Sequence, residues 1–237
     1  KDMEDKVRDV FGPLLKSGRA PGTWTQAPLL DKRVTFREEK DVKDAYLFIG
    51  CVGPDFNHPD QYAMDLLVEV LGRGVNPLLN LALGGRSELV QTISMSYLPG
   101  RYGGAVVIAL TLDPKNLAAA SREALAYLKR ARDENFSPED FYGDDRYRAF
   151  DFLGSAKSQV RLAAEQAEES GLTLASSLAR LMLQNDREDP GPFLGHVART
   201  TSGDLRKVAA RYFSRGECVA VSIVPPKNPP AQKKVER

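Results

Sequence analysis

The chain runs to 237 residues, 42% of them hydrophobic, which is enough for one large domain with a sizeable core or two small ones. Its 33 Lys and Arg nearly cancel its 32 Asp and Glu, leaving a formal charge of +1, and no basic stripe gathers anywhere, which speaks against a nucleic-acid partner. No run approaches ~18 uninterrupted apolar residues, so no membrane span is expected. No signal peptide opens the chain, which starts at Lys1 and is expected to be a piece of something longer.

Residues 2–16 place Met3, Val7, Val10 and Phe11 at helical spacing, and a connector rich in Gly, Pro and small polar residues follows. Val34–Glu39 alternates weakly, as an edge strand does. Ala45–Val52 (AYLFIGCV) is almost wholly apolar, which suits a central strand covered on both faces, and Gly53-Pro54 ends it. Asn57 or His58 can cap the next helix, with Pro59 at its first position and Asp60 favouring its positive end. Ala63, Leu66, Leu67, Val70 and Leu71 form its apolar stripe, and Gly72-Arg73-Gly74 reads as its stop. A shorter helical piece follows at Leu78–Leu83.

Leu89, Gln91, Ile93, Met95 and Tyr97 then share one strand face. A Pro99-Gly100 turn leads into Ala105–Leu112, so the pair reads as a hairpin. Asp113-Pro114 opens a helix to about Arg132, with Leu117, Ala124, Leu125 and Leu128 inward. Ser137–Asp140 is a capping-box signature. Helical pattern continues to about Gln184, broken near Gly143, Gly154 and Gly171. Ser202 can cap Asp204–Phe213, and Cys218–Val224 is a last apolar strand. Strands gather early and helices late, with one strand returning at the end. That order predicts an α+β fold, a two-layer sandwich of one mostly antiparallel sheet covered by helices. Cys51 and Cys218, far apart in apolar runs, read as two buried thiols, with a disulfide left open.

The stretch AYLFIGCVGPDFNHPDQYAMDLLVEVLGRG resembles the second half-domain of the pitrilysin/insulinase/mitochondrial-processing-peptidase family of zinc peptidases. Those half-domains carry a strand, a Gly-Pro turn, a Pro-Asp helix start and a glycine stop, matched here by Ala45–Val52, Gly53-Pro54, Pro59-Asp60 and Leu71–Gly74. The likeness continues through Thr111–Pro114, Ser137–Asp140 and the closing DLRKVAARYFSRGECVAVSIVPP, over roughly residues 5–226. It implies a processing-peptidase-like half-domain over 34–225, a helix at 1–18 belonging to or bridging from a preceding half, a connector at 19–33 and a loose tail at 226–237. In that family one half carries an inverted His-x-x-Glu-His motif and binds zinc, while the other contributes no metal ligand.

The non-catalytic half usually adds an Arg at a helix end and a Tyr in the following strand, which hold substrate and the developing oxyanion. Its run looks like SSRLFQELREKRGLAYSVSASY, and aligning this without gaps ends both segments on Tyr97. The family's Arg then falls on Gly84 and its Tyr on Gln91, so neither group is retained. Arg86, two residues on, could reach inward after a local shift. Gly84, Arg86 and Gln91 are therefore the candidate contacts to a substrate groove or partner.

No His-x-x-Glu-His occurs, and the two histidines, His58 and His196, read as a cap and a surface imidazole. Ser94 and Ser96 lack a nucleophile elbow, and Glu165, Glu168 and Glu169 form a solvated helix face. Tyr142, Tyr147 and Phe150 are read as core packing, with a peptide-contacting patch as the rival. No catalytic residue, metal ligand or cofactor is expected in this chain, with zinc only in a partner half-domain.

The resemblance implies a non-catalytic half-domain packing against an active one, in the same chain or a second subunit, and walling a peptide chamber. The alternatives are a scaffold like the respiratory-complex core subunits, or a module binding extended peptides. A periplasmic or other extracytoplasmic bacterial location is the expectation from the resemblance.

Overall fold

A computed structural model of the chain describes residues 2–13, 32–133, 136, 150–185, 193–213 and 218–226. Five strands form one sheet in the order β1-β5-β2-β4-β3: β1 (Val34–Glu39), β2 (Ala45–Gly53), β3 (Thr92–Pro99), β4 (Gly104–Leu112) and β5 (Cys218–Val224). All pairings are antiparallel except β1 with β5. The helices are α1 (Asp2–Phe11), α2 (Gln61–Val68), α3 (Leu78–Asn80), α4 (Leu117–Asp133), α5 (Phe152–Glu169), α6 (Gly171–Asn185), α7 (Phe193–Arg199) and α8 (Ser202–Phe213). α2 and α3 each run on into a π-helical turn, Glu69–Arg73 and Leu81–Arg86. The α+β sandwich expected from the element order is the observed architecture.

One face of the sheet makes the core. Ala45, Leu47, Ile49 and Cys51 of β2 alternate inward with Val106, Ile108, Leu110 and Leu112 of β4. They meet α2, α4 and α8, whose Met64, Leu67, Ala124, Leu128, Leu205 and Ala209 are all buried. Helix and strand approach closely because Gly72 lacks a side chain: an added Cβ would stand 2.2 Å from that of Met95. The apolar segment Gln61–Gly85 has the length and composition of a membrane span, a feature missed by counting uninterrupted apolar residues, yet 61% of its most apolar window is buried in this core. It serves here as the central helical layer.

On the other face of β2 Phe48 is exposed and Tyr46, Gly50 and Val52 are only half-buried, so the expectation of a strand sealed on both sides is corrected. Strand pairing aligns Phe36, Val221, Phe48, Ala109 and Ser94 in one row across this open face. The next row holds Val34, Val219, Gly50, Val107 and Ser96. Phe36 is 57% exposed, Phe48 39% and Leu98 57%. A nearly continuous apolar run misled because β2 packs aliphatic residues on one face and leaves aromatic ones on the other.

Helix starts also differ from expectation. Asp60, not Asn57 or His58, precedes α2, and it makes no side-chain cap. Thr201, not Ser202, caps α8: the Thr201 N–H and hydroxyl both donate to Asp204 Oδ2, at 3.0 and 2.7 Å, and the Asp204 N–H donates back to Thr201 Oγ1 at 3.3 Å. The break expected near Gly154 falls at Asp151, and Gly154 itself lies in the first turn of α5. It sits under the α5 cap, where Asp151 Oδ1 accepts its N–H at 2.8 Å and a Cβ would strike the same carboxylate. β3 begins at Thr92, so Leu89 and Gln91 precede it while Ile93, Met95 and Tyr97 share its inner side. The signature at 137–140 and the tyrosines at 142 and 147 lie outside the described residues, as do the tail from 227 and most of the connector. Phe150 packs on the core, its ring edge-on to Phe152 at 4.8 Å.

Cys51 and Cys218 are joined. They are register partners in the β2–β5 ladder, their Cα atoms are 4.3 Å apart and a disulfide links them, replacing the two free thiols of the plain reading. The two apolar strands were legible, but the pairing that brings residues 167 apart into register was not.

Candidate substrate-groove site at the Gly84–Gln91 bend

The chain leaves α3 through the Leu81–Arg86 turn and doubles back into β3. Helix ends leave carbonyls without partners, and here the Leu83 carbonyl accepts the N–H groups of Leu89 at 2.9 Å and Val90 at 3.2 Å. Ser87 Oγ donates to the Ala82 carbonyl at 2.9 Å and lies 3.2 Å from that of Leu83. These bonds pin the neck of the bend. Glu88 at its tip adopts a left-handed backbone with φ 51°, and the family run carries glycine at that position, the residue that geometry favours.

Gly84 and Gln91 stand on either side of this neck. Neither Gly84 nor Gly85 has a left-handed φ. A Cβ on Gly84 would approach the flexible end of Asn80, at 3.0 Å from Oδ1, and touch Val90 Cγ2 at 3.9 Å, while one on Gly85 would meet nothing within 4 Å. Glycine is thus not demanded by a left-handed backbone at either position, although a side chain at Gly84 requires Asn80 to shift slightly. Gln91 is tied down: its backbone N–H donates to the Thr111 carbonyl at 2.8 Å and its side-chain amide to Asp44 Oδ1 at 3.0 Å. That amide fastens the start of β3 to the start of β2. Asp44 gave no sign in the sequence, because the contact spans 47 residues. Arg86 ends the turn, and its side chain lies outside the described residues.

Beside the bend a cleft of about 400 Å³ runs between Ser87, Leu89 and the α4 residues Ala119, Arg122, Glu123 and Tyr127. Arg122 and Glu123 pair across 3.7 Å, both well exposed. The hydroxyl of Ser87, which lines it, is committed to the Ala82 carbonyl.

The zinc chemistry of the resemblance does not fit these residues. Among the described residues no group of three or more His, Cys, Asp or Glu could hold a metal ion. His58 Nδ1 accepts the Asp60 N–H at 3.0 Å, and Asp60 is gripped by Arg211 at 2.6 Å. His196 stacks on Tyr62 with ring centroids 4.4 Å apart. His58 thus serves a local turn hydrogen bond and His196 a ring stack. In the helical layer Asp65 is pushed up to about 7, first by burial, with Arg73 opposing and Glu69 reinforcing. Burial also raises the Tyr97 hydroxyl, which donates to the Pro54 carbonyl at 3.0 Å and ties β3 to the turn after β2.

The domain is thus of the class of helix-covered, five-stranded α+β sandwiches, with no metal-holding group of side chains among the described residues. A family model described as the peptidase M16 inactive domain matches residues 1–143, and the chain belongs to that family. A protease from Helicobacter pylori superposes with TM-score 0.78 at 21% identity, over 94% of this chain and 52% of that one. A chain of complex III2 from Candida albicans gives 0.67 at 16% identity, over 92% and 52%. The peptidase M16 inactive domain from Pseudomonas fluorescens gives 0.66 at 18% identity, over 90% and 48%. The chain therefore spans about half the length of these neighbours. A comparison with curated proteins finds no match. Taken alone, this is a non-catalytic, peptidase-like domain.

Proposed function

We propose that the domain is the supporting half of a zinc-metallopeptidase-like assembly, docking a second, homologous half-domain and closing the wall of its peptide chamber. The observation that carries this reading is the open sheet face. Phe36, Phe48, Val219, Val221 and Ile223 spread apolar surface over β1, β5 and β2, the kind of contiguous patch that marks an interaction surface. Helix α1 adds a second such surface, since Met3, Val7, Val10 and Phe11 all lie more than half exposed along one stripe. Neighbours twice as long leave room for a partner of equal size. In such a chamber substrate affinity comes from backbone hydrogen bonds to a strand edge in the active half, and this half contributes enclosure.

A second reading has its own support. Gly84 and Gln91 stand where the family run has a cation and a phenol, which favours a scaffold whose parent has lost peptidase activity. Metal analysis and a peptide-cleavage assay on the purified full-length protein separate the two. Zinc with chelator-sensitive turnover supports the peptidase half, and an inert, metal-free complex supports the scaffold. Calorimetry with extended peptides tests the third role, a peptide-binding module, and silence there removes it.

A further inference from the structure

The disulfide has a bearing on where the protein works, independent of any peptidase role. Cys51 and Cys218 are 3% and 2% exposed, on the inner face of β2 and β5. They are direct cross-strand partners, so the fold brings them together without rearrangement. β5 is the only strand among the described residues that pairs with β1, and its pairing to β2 is its only other link to the sheet. The bond therefore fastens a two-strand edge, β1 and β5, to the rest, closing a loop of 167 residues. Cytoplasmic reductants keep thiols reduced, whereas exported proteins keep such pairs oxidised.

We infer that Cys51–Cys218 is a structural disulfide formed during export, and that the domain folds and works in an oxidising compartment outside the cytoplasm. In its formation the two thiols give up two protons and two electrons to the disulfide of a thiol–disulfide oxidoreductase, which leaves as its dithiol. Once formed, the bond is sealed in the core, where solution thiols have no access. It is a fixture and not a switch.

The test uses the full-length protein in its native cells. These are quenched in acid and denaturant, because a buried thiol would escape labelling in the folded state. Free thiols are blocked with N-ethylmaleimide, and the sample is then reduced and labelled with the deuterated reagent. The expected result is loss of the light label at both Cys51 and Cys218, in protein recovered from the extracytoplasmic fraction. Light label at both positions, or an oxidised pair recovered from the cytoplasm, overturns the inference. A Cys51→Ala/Cys218→Ala variant addresses the fastening role by hydrogen exchange. Protection should fall at Val34–Glu39 and Cys218–Val224 while the β3–β4 hairpin keeps its own, and unchanged protection at the β1–β5 edge overturns that role.

Discussion

Gly72 lies against Met95 so closely that a methyl group on its Cα would stand 2.2 Å from the Met95 Cβ. The contact joins the π-helical end of the central helix to β3, and both partners sit in the core. Gly72→Ala should cost about 1–3 kcal/mol, since overpacking forces backbone to move. Gly85→Ala, in open space, should change stability by less than ~0.5 kcal/mol. Chemical denaturation of the two variants side by side measures the contrast, and equal midpoints would show that the helix can back away from the strand freely.

Glu88 holds a left-handed backbone at the tip of the candidate bend. Such a conformation costs a side-chain-bearing residue roughly 1–2 kcal/mol, of which glycine's extra unfolded-state entropy returns part. Glu88→Gly should therefore stabilise the domain by up to about 1 kcal/mol. A lower melting temperature would mean that the Glu88 side chain makes a compensating contact.

Burial lifts the Asp65 carboxyl from 3.8 to about 7. An acid whose folded value exceeds its unfolded one favours folding while protonated in both states. The benefit is whole below pH ~4 and is lost as pH rises to about 7, because folding must then bury a charge. Asp65→Asn, neutral throughout, lacks this loss. Thermal melts of both proteins between pH 4 and 8 should show the wild type falling relative to the variant as pH rises, with the gap levelling off above 7. Parallel curves would place the carboxylate in a wetter site.

How far the sequence carried these conclusions depends on the range of each contact. The apolar runs of β4 and β5, the hairpin turn after Pro99 and the glycine stop at Gly72–Gly74 are local, and each was legible. Thr201 was missed as a cap because Ser202 beside it is an equally good residue type, and only the reciprocal bonds with Asp204 distinguish them. The one-sided cover of β2 could not be read, since Phe48 and Tyr46 are as apolar as the buried Leu47 and Ile49. The candidate bend was located only through the family run, and its tie from Gln91 to Asp44 stayed hidden because no spacing rule links residues on separate strands.

The open sheet face offers a direct test of docking. Gly50 lies in its middle, between Val219 and Val107, and a Cβ there meets no atom within 4 Å. Gly50→Glu should leave the domain folded, with a stability change of no more than ~1 kcal/mol, because the new side chain extends into solvent. In the full-length protein the same charge would be pressed into an apolar contact without a partner, which is costly. The expected outcome is a larger hydrodynamic radius and faster proteolysis between the halves, with an unaltered circular dichroism spectrum. If neither changes, this face is not where the second half docks.

The chemical loss at the bend can be reversed. Gly84→Arg with Gln91→Tyr restores the two groups of the family run, and Gly84 has no left-handed φ to oppose the exchange. The variant gives up the exposed Gln91–Asp44 bond, a cost of about 0.5–1.5 kcal/mol, and should stay folded. In a parent with a zinc-bearing half, a guanidinium and a phenol near the scissile carbonyl stabilise negative charge that develops only in the transition state. Peptide turnover should then rise in kcat more than KM falls, by about tenfold or more, since one well-placed oxyanion donor is worth ~10²–10³. Folded variant protein with turnover unchanged from an already active parent would show that Gly84 and Gln91 face away from the substrate. No turnover before or after the exchange would place the defect in the metal-binding half, as the scaffold reading requires.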